Sequence, residues 1–224
     1  MNITDDRIKF LRLLSEKYRS RQQVCTEIIN LQAILNLPKG TEHFMSDLHG
    51  EYEAFSHILN NSAGVIREKV DMLFEETLTP RERSSLCTLI YYPEEKLEKI
   101  NEEGRNTEEW YRFVLQNLID LAKMLSSKYT RSKVRKAMPS EYSYILDELL
   151  HAQADEDNNQ FVYHQKIIDT LLKLGEGDDF IIALSSLIKR LAVDHLHIVG
   201  DIFDRGERPD AILNMLMQHH SLDI

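Results

Sequence analysis

The sequence has few cysteines, no long hydrophobic run and no excess of positive charge, and each absence excludes a class of protein. Among its 224 residues are two cysteines, Cys25 and Cys87, each within a helix-like pattern. Neither a disulfide framework nor a cysteine-based zinc site is therefore expected. We expect both thiols to be buried and inert, as isolated cysteines in helices usually are.

Membrane and nucleic-acid partners are also disfavoured. Apolar stretches such as residues 180–184 are too short to cross a bilayer, and residues 1–10 lack the hydrophobic core of a signal peptide. The formal net charge of -10 opposes non-specific binding to nucleic acid or to an anionic membrane, which carry charge of the same sign. These features predict a cytoplasmic protein in which any anionic substrate meets a local cationic site.

What is present is the composition of an ordinary globular protein, arranged in three zones. Residues 1–64 contain an amphipathic helical pattern over residues 5–35, a short apolar strand at Glu42–Ser46 and a helix from about Glu51. Residues 65–191 have a helical pattern throughout, with a capping box at residues 79–82, and are predicted to be an all-helical insertion. Residues 192–224 contain a strand over 193–199, a helix from Pro209 and the start of a further strand. The predicted fold class is α/β, dominated by helix.

Two of the predicted strands end in polar motifs. Residues 46–50 read S-D-L-H-G and residues 200–206 read G-D-I-F-D-R-G. Ligands of α/β sheets bind beyond the carboxyl ends of the strands, so these motifs can converge on one site. Asp47 and His49 can offer an oxygen and a nitrogen to one cation, and Asp201 can bridge two cations. Such mixed ligation suits manganese, iron or zinc.

Arg205 follows in the second motif, and its planar guanidinium is suited to hold a phosphate through two parallel hydrogen bonds. Other interpretations remain open at this point. The Asp-x-His triplet could be an exposed turn, and Asp201 and Asp204 could be turn or cap residues. His195 and His197 share a strand face with Asp201, and metal ligation is one interpretation of them. They lie several residues before the strand end, so we prefer to interpret them as packed or hydrogen-bonded histidines.

A basic run also lies within residues 128–136 of this acidic chain. A salt-bridged or solvated helix face is the preferred interpretation, and binding of an anionic effector or of the distal phosphate of a bisphosphate is the alternative.

The two motifs resemble the first two signatures of the calcineurin-like metallophosphoesterases, particularly the protein serine/threonine phosphatase branch. The long helical interval between them, together with E-H-F-M-S-D-L-H-G-E-Y-E-A-F at residues 42–55, is similar to the class III fructose-1,6-bisphosphatases of bacteria. The resemblance implies a partial metallophosphoesterase α/β sandwich carrying a large all-helical insertion.

The resemblance also implies roles for individual residues. Asp47 and His49 would ligate the first of two divalent ions, with manganese the expected metal, and Asp201 would bridge both ions. Arg205 would hold the phosphate. Asp204 would not be a ligand, but would orient a histidine that acts as general acid and belongs to a later G-N-H-[D/E] motif. Because the sequence stops at Ile224, before that motif, we expect an N-terminal fragment that holds at most one metal weakly and has little activity.

The implied reaction is hydrolysis of the 1-phosphate of fructose 1,6-bisphosphate in gluconeogenesis. One alternative keeps the chemistry and changes the substrate to a phosphoprotein or a dinucleotide polyphosphate. Another treats the helical zone as a non-catalytic binding or oligomerisation module, and a homo-oligomer is compatible with either function.

Overall fold

A computed structural model describes residues 4–151 and 158–224, which form two compact units, Met1–Lys39 and Gly40–Ile224. None of the described helices is both long and apolar enough to cross a membrane. The first unit contains helices α1 (Asp5–Lys17) and α2 (Arg21–Ile34). The strands of the second unit are β1 (Glu42–Ser46), β2 (His195–Val199) and β3 (Leu222–Asp223). Its helices are α3 (Tyr52–Asn60), α4 (Val65–Phe74), α5 (Pro80–Tyr91), α6 (Pro93–Glu102), α7 (Glu108–Ser126), α8 (Arg131–Ala137), α9 (Ser143–His151), α10 (Asn158–Leu174), α11 (Gly177–Ala192) and α12 (Pro209–Met217), with short 3-10 turns at Ser62–Gly64 and Ser140–Tyr142.

The first unit differs from its prediction in two respects. The single helix predicted over residues 5–35 is broken at Tyr18, and α2 starts anew because the Ser20 hydroxyl accepts a hydrogen bond from the Gln23 backbone N–H at 3.2 Å. Neither α1 nor α2 has a buried residue among those described, so the apolar side chains of both helices are at least partly exposed. The prediction that Cys25 is buried was wrong, whereas Cys87 on α5 is buried as predicted.

The two thiols should therefore differ in reactivity. Burial raises the pKa of the Cys87 thiol, which lowers its thiolate fraction as well as its access to reagents. We expect an aromatic disulfide reagent to label Cys25 rapidly in the folded chain and Cys87 only after denaturation. Counting released thiolate before and after adding denaturant, with a Cys25→Ser variant as control, checks this. Rapid labelling of the Cys25→Ser variant without denaturant would contradict it.

The sheet is parallel with strand order β1-β2-β3, the arrangement expected of strands joined by helical crossovers. Leu196 and Ile198 on one face are buried with Phe55 of α3 and Ile212 of α12. The opposite face is open in the described chain, and Phe44 is 63% exposed. No residue of β1 is itself buried, so the prediction that β1 is a buried strand was wrong; His43 and Met45 on the covered face are half-buried.

The described parts of residues 65–191 are helical, as predicted, and have a core of their own. The predicted capping box is present, since the Thr79 hydroxyl accepts from the Glu82 N–H and the Glu82 carboxylate accepts from the Thr79 N–H. Helices α7 and α11 form the centre, and burial of an apolar stripe on each supplies most of the stability of such a bundle. Their fully buried side chains include Leu115, Leu118, Leu121, Phe180, Ile181, Leu184, Leu187 and Ile188. The division into domains at residues 64 and 191 stays a prediction.

Two cations of the basic run, both on α8, form salt bridges, which agrees with the preferred interpretation. Arg131 Nη2 lies 2.8 Å from Asp147 Oδ2, and Lys133 pairs with Asp194. The hydrogen bond from Arg131 lowers the pKa of Asp147. These cations are thus already neutralised by carboxylates of the same chain.

Candidate metal centre

The two motifs lie side by side because β1 and β2 are neighbours in the sheet and end at the same level. Ser46 pairs with Val199, the last residue of β2. Hydrogen bonding then continues past the strands, from the Asp47 N–H to the Val199 carbonyl at 3.1 Å and from the His49 N–H to the Asp201 carbonyl at 3.2 Å. Residues far apart in the sequence are thereby held in adjacent loops, as the motif positions predicted.

The backbone of these loops is left-handed at several positions. Asp47, His49 and Arg205 have φ values of 52°, 48° and 74°. A side chain in this region costs about 1–2 kcal/mol relative to the right-handed conformation. Such strain persists where the surrounding structure fixes it and is concentrated at functional sites.

Close approach of the two loops requires glycine at two positions. A Cβ atom on Gly206 would lie 2.3 Å from the carbonyl carbon of Gly50, and the Gly206 N–H donates to the His49 carbonyl. Gly50 has a φ of 73° and would place a Cβ 2.7 Å from the Gly206 carbonyl oxygen. The glycines that end each motif therefore let the backbones of the loops touch.

Three of the predicted side chains form one group. His49, Asp201 and Asp204 each offer one potential ligand atom, and these atoms lie within 4.8 Å of one another. His49 Nδ1 is in contact with Asp204 Oδ1, but it is buried and makes no hydrogen bond. Asp201 Oδ1 accepts a hydrogen bond from the Phe203 N–H at 2.9 Å, which fixes the orientation of that carboxylate. The group combines two carboxylates with one imidazole at the carboxyl end of the sheet.

Asp47 and Arg205 occupy the rim of this group. A Cβ on Gly200 would lie 2.6 Å from Asp47 Oδ1, so the Asp47 carboxylate lies against the start of the second motif. Among the described residues Asp47 does not belong to the group of three. The Arg205 side chain is 74% exposed, and its Nε lies 3.5 Å from Asp204 Oδ2, which leaves most of the guanidinium available to an anion.

The donor set fits a divalent cation of the manganese, iron or zinc type. The His49 imidazole, whose Nδ1 lacks a hydrogen bond, is grouped with the carboxylates of Asp201 and Asp204, and this combination of nitrogen and oxygen donors suits such a cation. The assignment of Asp47, His49 and Asp201 as the ligands stays a prediction. The contact between Asp204 and His49 was missed from the sequence, where Asp204 was assigned a partner in a later motif. No local sequence pattern indicates this contact, because His49 and Asp204 lie in different loops.

Arg208 is a second cation near the loops, and no motif in the sequence indicated it. Its N–H donates to the Gly50 carbonyl at 3.2 Å, and its guanidinium lies over the ring of Tyr52, 5.9 Å from the centroid. Its hydrogen bonds to Asp210 lower the pKa of that carboxyl, so this arginine is already paired.

The fold and the site together define a helix-rich α/β protein with a candidate divalent-metal centre at the ends of two parallel strands. The family described as Firmicute fructose-1,6-bisphosphatase matches residues 9–224. The chain belongs to that family.

Curated relatives agree with this assignment. The "Fructose-1,6-bisphosphatase class 3" of Clostridium tetani is 54% identical over 224 residues, covering 100% of this chain and 34% of that protein. The protein of the same name from Clostridium acetobutylicum is 53% identical over 219 residues, covering 98% of this chain and 33% of that protein. The chain thus spans about a third of the length of the curated relatives it matches. No solved structure matches the chain.

Proposed function

We propose that this chain supplies the first metal-binding and phosphate-binding residues of a fructose-1,6-bisphosphatase of the calcineurin-like metallophosphoesterase type. The observation that supports this most strongly is the convergence of His49, Asp201 and Asp204 at adjacent strand ends, beside an exposed Arg205. Membership of the family, and the names of relatives that share half of its residues, favour the sugar bisphosphate as substrate. A role in gluconeogenesis and a cytoplasmic location belong to the same proposal.

In the proposed site His49 and Asp201 hold a divalent cation, with Asp47 or Asp204 completing the set. Divalent cations, manganese foremost, would stabilise charge on the phosphoryl oxygens and lower the pKa of an attacking water when bound. Arg205 binds the 1-phosphate through two parallel hydrogen bonds and holds phosphorus in line with the water. Water adds to phosphorus, the bond from phosphorus to O1 of the sugar breaks, and O1 takes up a proton. The products are fructose 6-phosphate and inorganic phosphate.

The proposal is tested with a chimera in which this chain replaces the matching 224 residues of the Clostridium tetani relative. Phosphate release is measured in Mn²⁺ with fructose 1,6-bisphosphate, a serine phosphopeptide and a dinucleotide polyphosphate. Of the three substrates, we expect fructose 1,6-bisphosphate to give the chimera its highest kcat/KM. The unmodified Clostridium tetani relative should show the same preference. Equal or higher activity on the phosphopeptide or the dinucleotide would overturn the sugar assignment.

Replacing Arg205 by Ala in this chimera should weaken phosphate binding. Loss of charge-assisted hydrogen bonds worth about 1.5–3 kcal/mol predicts a KM raised roughly tenfold to a hundredfold, with a smaller fall in kcat. Initial rates over a range of substrate, together with the inhibition constant of inorganic phosphate, measure this. The control is Arg105→Ala, because Arg105 pairs with Glu103 on the surface of the helical zone. An unchanged KM and an unchanged inhibition constant would remove Arg205 from the site.

A further inference from the structure

A second cluster of potential ligands lies on the open face of the sheet. His195 and His197 are two residues apart on β2, and their side chains point to the same face. The strand register places His197 opposite Asp223 of β3, and His195 opposite Glu42 of β1. All three strands thus contribute polar side chains to one patch.

The imidazole nitrogens and carboxylate oxygens of this cluster lie close enough together to bind one cation. Asp223 Oδ2 lies 3.0 Å from His195 Nε2 and 3.2 Å from His197 Nδ1. These atoms belong to a group in which each residue offers one ligand atom within 4.8 Å of the others. Glu42 Oε2 lies 3.7 Å from the second ring nitrogen of His197.

Both imidazole rings are held in place from outside the cluster. The Ser221 hydroxyl forms a 2.5 Å hydrogen bond with His195 Nδ1, which directs Nε2 of that ring towards Asp223. Phe44 stacks on His197 with ring centroids 4.3 Å apart and ring planes 7° from parallel. Fixing the ring of a ligating histidine through a second contact is the usual arrangement around protein-bound metals.

Hydrogen bonds within the cluster leave two of its ring nitrogens without a partner. Nε2 of His195 and Nε2 of His197 are buried and lack a hydrogen bond, in spite of the nearby carboxylates. The two ring centroids are 4.5 Å apart, so both imidazoles can reach one cation together with the Asp223 carboxylate. Two carboxylates also match the charge of a divalent ion.

We propose that His195, His197 and Asp223, with Glu42 beside them, form a second transition-metal site, of the kind that takes Zn²⁺. Ligation by imidazole and carboxylate favours zinc, cobalt or nickel over calcium and magnesium. The site is separate from the proposed catalytic centre, since His197 precedes Asp201 by four residues, or about 13 Å of extended chain. It ties three strands together at the end of the sheet opposite the candidate active site.

Equilibrium dialysis of the 224-residue chain against Zn²⁺ tests this proposal. The background carries His49→Gln and Asp201→Asn, which remove ligands of the other candidate site. In that background we expect one tightly bound Zn²⁺ per chain, and weakening by about tenfold or more on adding His195→Gln and His197→Gln. The matched control is His43→Gln, since His43 lies on β1 but points to the opposite face of the sheet, in a cavity with His219 and His220.

Asp223→Asn distinguishes the loss of a ligand from a loss of folding. The Asp223 side chain is 67% exposed, so its replacement should leave the packing of the sheet unchanged. It should weaken zinc binding by a similar factor while the far-ultraviolet circular dichroism spectrum stays that of the parent. The proposal is overturned if the background chain binds no Zn²⁺. It is equally overturned if the histidine pair and Asp223→Asn both leave the dissociation constant unchanged.

Discussion

Replacing Asp201 by Asn is expected to reduce phosphate release from fructose 1,6-bisphosphate by a factor on the order of a thousand in the chimera with the Clostridium tetani relative. The change removes a negative charge from the centre of the group formed with His49 and Asp204. An asparagine oxygen can still accept the hydrogen bond from the Phe203 N–H, so the loop should keep its conformation. The loss should appear in kcat, with the melting temperature close to that of the parent.

The control for this substitution is Asp210→Asn, the same chemical change in the first turn of α12. Asp210 pairs with Arg208 and lies outside the group of potential ligands. We expect this variant to keep most of the activity. If Asp201→Asn retained more than about a tenth of the parent kcat at saturating Mn²⁺, Asp201 would have no direct part in the chemistry.

Replacing Gly206 by Ala should destabilise the loops and weaken the site, because the new methyl group has no room. It would lie 2.3 Å from the backbone of Gly50 and 2.5 Å from the His49 carbonyl oxygen, neither of which can move as a flexible side chain does. Overpacking of this kind costs about 1–3 kcal/mol of unfolding free energy. Because the loops must separate, the affinity of the 224-residue chain for Mn²⁺ should fall by at least about tenfold.

Gly104→Ala is the control for Gly206→Ala. A Cβ on Gly104 meets nothing within 4 Å, but the φ of 62° makes the residue strained. We expect it to lower the unfolding free energy by about 1 kcal/mol and to leave Mn²⁺ binding unchanged. Denaturant unfolding and a Mn²⁺ titration of both variants separate the two effects. If Gly206→Ala bound Mn²⁺ as tightly as Gly104→Ala does, contact between the loops would not be needed for the site.

The sequence was sufficient to predict the features that local patterns determine. The strand at Glu42–Ser46 was predicted with its observed bounds, and the capping box at Thr79 is present. The adjacency of residues 46–50 and 200–206 was also predicted, because parallel strands that end in polar motifs place those motifs at one edge of the sheet.

Features that depend on contacts between distant residues were predicted less well. The helical pattern over residues 5–35 gave no warning of the break before Ser20 or of the exposure of Cys25, because periodicity indicates an apolar face and not what covers it. The contact between His49 and Asp204 depends on how two loops fold against each other. The grouping of His195 with Asp223 likewise depends on a strand register that the sequence alone does not determine.

Anomalous X-ray diffraction from crystals of the chain grown with Mn²⁺, collected on both sides of the manganese absorption edge, decides whether the two motifs hold a divalent cation. We expect an anomalous peak within bonding distance of His49 and Asp201, at the shared ends of β1 and β2. Full occupancy of manganese elsewhere in the crystal, with no peak beside these two residues, would contradict it.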